Sequence, residues 1–89
     1  MNLYFKRFWD ETTGDPLTQN WGTATYFFET NKSGEVLRQL EVYEKGQRLK
    51  YTLENLQDDY GGLSEVPLDL EEFKVFEITE DDFEDEWQQ

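Results

Sequence analysis

Apolar and polar positions in the first half of the chain alternate in short runs separated by turn residues, the period-two pattern of half-buried β-strands. Residues 3–9 form one such run, with Leu3, Phe5 and Trp9 on one face. Residues 10–20 read as a loop, punctuated by Gly14-Asp15-Pro16. Residues 22–30 are rich in aromatic and β-branched side chains, which suit a pleated surface, and predict a second strand. After the turn Asn31-Lys32-Ser33-Gly34, residues 35–44 alternate again. Val36, Leu40 and Val42 fall on one face, and Leu37, Glu41 and Tyr43 on the other. Lys45-Gly46 marks a tight hairpin into a short strand over residues 47–53. Strands joined this tightly are antiparallel neighbours, and the first strand is expected to pair with the second.

The remainder is less regular. Residues 55–62 read as a loop or a single helical turn ending in the Gly61-Gly62 pair, and Pro67 disfavours helix at Val66. Residues 72–78 predict a last strand and residues 79–88 a helix. Thr79 is a good N-cap and Asp82 is placed to reach back to it. Phe83 and Trp87, four residues apart, then share the side that faces the sheet. The expected fold is α+β: a single twisted antiparallel sheet of four to five strands with the C-terminal helix packed on one face. Its 89 residues imply one domain. Residues 1–53 form a β-meander, and residues 54–89 an acidic loop, short strand and helix.

Composition changes the picture in two ways. Average hydropathy is low, but seven Phe, five Tyr and three Trp supply a core of large rings, which argues against disorder. Phe5, Trp9, Phe27, Phe28, Phe83 and Trp87 are the expected core aromatics. The charge is also uneven. The net charge is −13. Residues 1–53 hold as many bases as acids, whereas residues 54–89 hold fourteen acids and a single base, Lys74. Such asymmetry points to a partner of opposite sign and disfavours nucleic acid and anionic membrane surfaces. With no cysteine, no long apolar run and no basic-then-apolar leader at the N-terminus, a cytoplasmic location is the simplest expectation.

Catalytic chemistry has little to use. The chain lacks His and Cys, and its two serines, Ser33 and Ser64, fall in a turn and a loop without an adjacent base. The chain is therefore not expected to be an enzyme or to need a cofactor. Asp58, Asp59, Asp81, Asp82, Glu84 and Asp85 are hard oxygen donors, but the calcium-loop pattern fails. With Asp59 in its fifth position, Tyr60 stands where glycine is required, and no dedicated metal site is expected. In the predicted helix, Glu80–Glu84, Asp81–Asp85 and Asp82–Glu86 are like-charge pairs at i, i+4. The acids nearer its C-terminal end gain nothing from the helix dipole, so the arrangement costs about 1 kcal/mol. Solubility alone would tolerate that cost, and a binding face would use it. Tyr60, between two aspartates and two glycines, is less suited to the core; it has the setting of an interface anchor, and simple packing across the loop is the equal alternative.

Four segments carry a resemblance: Phe5-Lys6-Arg7-Phe8-Trp9-Asp10, Trp21-Gly22-Thr23-Ala24-Thr25-Tyr26-Phe27, Val36-Leu37-Arg38-Gln39-Leu40-Glu41-Val42-Tyr43 and Asp59-Tyr60-Gly61-Gly62-Leu63. Together they resemble a family of small acidic bacterial proteins spanning nearly the whole chain. Such proteins are similar in kind to the immunity proteins of polymorphic toxin and contact-dependent growth inhibition systems. The resemblance implies a class of function and carries no site residues with it.

The expectation is thus an immunity protein that binds and occludes a basic toxin domain, a nuclease by preference because a nuclease cleft must hold phosphates. Tyr60 and an exposed Trp21 would anchor the contact, with Asp58, Asp59, Glu80, Asp81, Glu84 and Asp85 around them. Two rival expectations are an acidic mimic of nucleic acid that blocks a DNA-binding or restriction protein, and a structural adaptor. Monomer and dimer are both compatible with the residues.

Overall fold

The computed structural model describes residues 1–12 and 14–89. Thr13, within the loop expected over residues 10–20, lies outside the described residues. Five strands form one antiparallel sheet: β1 (Leu3–Trp9), β2 (Ala24–Thr30), β3 (Val36–Tyr43), β4 (Arg48–Thr52) and β5 (Glu77–Ile78). Their order is β4-β3-β2-β1-β5. β1 lies against β2 along its whole length, from Leu3 opposite Thr30 to Trp9 opposite Ala24, as expected. Two short helices follow the meander, α1 (Leu70–Phe73) and α2 (Glu80–Trp87).

Alternation along the strands sorts the core onto two faces. On one, Tyr4, Phe27 and Leu40 pack against Phe83 of α2, with Val42, Ile78 and Trp87 at the margin. The i, i+4 spacing of Phe83 and Trp87 does what was expected of it: both rings meet the sheet, stacked at 5.8 Å. The Thr79 hydroxyl caps α2 by accepting from the Asp82 amide (3.1 Å).

The other face is covered as well, by residues 53–76. This segment crosses from β4 at one edge of the sheet to β5 at the other. Phe5, Phe28, Val36 and Phe73 form one cluster there, and Ala24, Tyr43, Leu49 and Tyr51 a second. At the sheet's margin Gly34 adopts φ +89°, and a Cβ there would lie 2.5 Å from the Leu68 carbonyl oxygen. That close approach lets the Leu68 amide donate to the Gly34 carbonyl (2.9 Å) and ties the crossing segment to the β2–β3 turn.

Three expectations need correction. Val36 does not share a face with Leu40 and Val42. Glu29 pairs with Arg38 but Thr30 pairs with Val36, so Leu37 is an extra residue and the bulge turns Val36 to the opposite face, beside Phe5 and Phe28. Residues 72–78 are not a strand throughout. Asp69 caps α1 by accepting from the Glu71 and Glu72 amides, a 3-10 turn covers Lys74–Phe76, and strand pairing is left to Glu77 and Ile78. Trp9, expected in the core, is 40% exposed. It lies at the end of β1, beyond the two residues that β5 pairs with.

Candidate functional site

The tip of the crossing segment is a small, braced hairpin. Gln57 and Gly62 form an isolated bridge, the Leu63 amide donates to the Leu56 carbonyl (2.8 Å), and the Asp58 amide donates to the Gly61 carbonyl (2.9 Å). The Asp58 carboxylate is the internal brace. Its Oδ1 accepts from the Tyr60 amide (2.8 Å), the Gly61 amide (3.1 Å) and the Tyr51 hydroxyl (2.9 Å). Burial, and then the bond to Asp58, push the Tyr51 hydroxyl well above the usual tyrosine range, so it stays a donor at any physiological pH. Asp58 therefore shapes the turn, while Asp59 and Tyr60 are what it displays; Tyr60 is 42% exposed.

Trp21 stands next to Tyr60, although thirty-eight residues separate them in sequence. It ends a 3-10 turn over Gln19–Trp21, and its carbonyl accepts from the Lys45 amide (3.2 Å). Its ring sits 5.0 Å from that of Tyr60 and 5.2 Å, edge-on, from that of Tyr43. It is half-buried rather than exposed as expected. The sheet holds one side of Trp21, and Tyr60 leans on it as the outer member of an aromatic pair.

The four helix candidates lie elsewhere. Glu80, Asp81, Glu84 and Asp85 belong to α2, across the sheet from the hairpin. The acids of residues 54–89 thus occupy two surfaces rather than one. Glu84 is not free. It pairs with Arg38, which also pairs with Glu29 and whose guanidinium stacks 4.8 Å from the Phe83 ring centre and 5.0 Å from that of Trp87. Arg48 likewise engages both the side chain and the carbonyl of Glu86. Bases on the sheet thereby offset two of the acids that the helix dipole leaves unfavourable, Glu84 and Glu86, and part of the cost of an acidic α2 is met within the fold. Glu80, Asp81 and Asp85 remain exposed.

Sequence reasoning passed over a polar group beneath the hairpin. Glu41 is 6% exposed, and among the described residues no ion pair reaches it. Its carboxylate accepts from the Tyr43 hydroxyl (2.6 Å) and from Gln39 Nε2 (2.8 Å). Gln39 also holds the returning arm of the hairpin at two points, donating to the Gly62 carbonyl (3.2 Å) and accepting from the Ser64 amide (2.9 Å). Burial first, then the bond to Glu41 and its charge, hold the Tyr43 hydroxyl far above its ordinary range. The available signal was the pairing of Gln39 and Glu41, two apart, on a strand face that also carries Tyr43. The network anchors the hairpin to β3. Removing one donor from a buried carboxylate costs about 1–2 kcal/mol, so Tyr43→Phe should lower stability by that amount in urea unfolding, with little change in the slope.

Among the described residues no group of three or more acids converges to hold a metal ion, and no helix is long and apolar enough to cross a membrane. No protein-family model, curated protein or solved structure matches the chain.

Proposed function

We propose that this protein acts by binding rather than catalysis, as an immunity protein that covers the positive cleft of a cognate bacterial toxin domain, a nuclease, in the cytoplasm. The observation that carries this reading is the braced hairpin. Its three-donor hold on Asp58 fixes the backbone, so the Tyr60 ring and the Asp59 carboxylate can engage a partner with little further ordering. A half-exposed tyrosine tilted against a tryptophan, rimmed by acids, has the make-up of an interface hot spot. The net charge of −13 would accelerate encounter with a basic surface.

The arrangement suits a local plug better than a mimic of duplex phosphates. A mimic needs its acids along one stripe, and Asp58 and Asp59 lie across the sheet from Glu80, Asp81 and Asp85.

The reading is tested by co-expressing the protein with the toxin domain encoded beside its gene, and by measuring their affinity by calorimetry and their association rate by stopped-flow fluorescence. Protection of the cells is expected, with an association rate that falls as salt rises. Tyr60→Ala should weaken binding by about tenfold or more, the loss typical of a truncated aromatic anchor. Undiminished toxicity, or binding indifferent to both salt and Tyr60, overturns it.

A further inference from the structure

Beside the hairpin, between the turn after β4 and the start of β3, lies an open cavity of about 490 Å³, within the range of small-ligand sites. Its floor is apolar: Val36 is buried, while Leu53 and Leu56 remain 62% and 56% exposed around it. Two carboxylates, Glu35 and Glu65, stand on its lining. Glu35 accepts only from a neutral donor, Asn31 Nδ2 (2.8 Å), and Glu65 has no partner among the described residues. Elsewhere Glu29, Glu72, Glu84 and Glu86 are each matched to an arginine. The cavity thus combines two exposed leucines with two glutamates that no cation among the described residues engages.

We infer that this cavity receives the side chain of an arginine or lysine from the partner protein, its aliphatic stem on Leu53, Leu56 and Val36 and its charged head between Glu35 and Glu65. Long cationic side chains bury their stems on apolar surface while the head seeks anions. An anionic group would meet both glutamates, and a purely apolar one would leave them desolvated and unpaired. The cavity shares Leu56, Gln57 and Gly62 with the Tyr60 hairpin, so the inference deepens the proposed binding role and rests on it for the identity of the occupant.

The test separates the two. The free protein is titrated with n-butylguanidinium, with pentanoate as the anionic control, following the amides of Gly62, Leu63 and Ser64 by NMR. Saturable shifts with butylguanidinium alone are expected. Glu35→Gln combined with Glu65→Gln should weaken that binding roughly three- to tenfold, as loss of two exposed ion pairs would. Glutamine keeps the acceptor that Asn31 uses, and unchanged amide shifts away from the cavity establish that the fold is intact. Absence of saturation, or equal binding of pentanoate, overturns the inference. In the complex, the same double variant should slow association with the toxin domain and speed its release. A complex that forms normally with this variant removes the cavity inference and leaves the hairpin reading standing. Butylguanidinium binding without any complex does the reverse.

Discussion

Phe83→Ala is expected to remove about 3–5 kcal/mol of stability, enough to leave the protein marginally folded at 37 °C. The size follows from what the ring touches. Phe83 is wholly buried. It lies 5.3 Å from the Tyr4 ring and 5.8 Å from Trp87, and the Arg38 guanidinium covers it at 4.8 Å. Truncation loses the transfer energy of the ring and opens a cavity among side chains held by strands on one side and a helix on the other, which collapse poorly. The α2 helix has eight residues, too few to persist undocked, so its hydrogen bonds are at stake as well. Urea unfolding monitored by tryptophan fluorescence measures the loss. A shift below about 1 kcal/mol would mean that α2 does not depend on this contact.

The features that were legible in the sequence are those decided locally. The strands announced themselves through β-branched and aromatic runs between turns. The helix was evident from Thr79 and the four-residue spacing of Phe83 and Trp87. What failed depended on tertiary choice. Val36-Leu37 places two apolar residues in succession, and either could have continued the alternation. The bulge resolves this by giving Val36 to the cluster around Phe5 and Phe28. In residues 70–78, apolar positions at Leu70, Phe73, Val75, Phe76 and Ile78 fit neither period cleanly. The Asp69 cap and the burial of Phe73 against two sheet phenylalanines favour a helical turn. The same division holds for the candidate site. Tyr60 and its flanking aspartates could be singled out as a loop cluster, but its meeting with Trp21 depends on how the crossing segment lies over the sheet. Reading residues 54–89 as one acidic unit failed because α2 and the hairpin cover opposite faces of the same sheet.

The charge asymmetry gains a structural role from this. Arg7, Arg38 and Arg48 come from the neutral part of the sequence, and each pairs with an acid of the later part. The meander supplies cations and the later segment supplies the anions that dock onto them, so part of the imbalance orients the two parts of the chain. Asp59, Glu65, Glu80, Asp81, Asp82 and Asp85 are among the exposed acids left over, and these define the electrostatic character that a partner meets.

Arg38 is the centre of that internal docking, and Arg38→Met should cost about 2–3 kcal/mol at neutral pH, somewhat less than a fully buried pair because Arg38 and Glu84 keep some water. Methionine preserves much of the aliphatic packing on Phe83 and Trp87 and removes the charge, so the loss reports electrostatics rather than a cavity. Glu29 is the group left in difficulty. Burial pushes its carboxyl up, but the bonds from Asn2 and Arg38, the charge of Arg38 and the bond from Tyr4 outweigh burial and hold it below the usual range. A carboxyl whose folded pKa is depressed stabilises the protein fully above its unfolded value, about 4.3 for glutamate, and that contribution fades as pH falls through the folded value. Without Arg38, burial is opposed only by neutral donors, and Glu29 takes up its proton at higher pH. The gap in unfolding free energy between wild type and Arg38→Met should therefore be widest at neutral pH, should start to shrink where Glu29 of the variant takes up its proton, and should close only as pH falls through the depressed wild-type value, below which both proteins carry a neutral Glu29. Comparing two proteins of nearly equal net charge cancels most of the general effect of discharging so acidic a chain. A gap that stayed constant down to pH 3 would show that Arg38 contributes through packing and not through the carboxylates it joins.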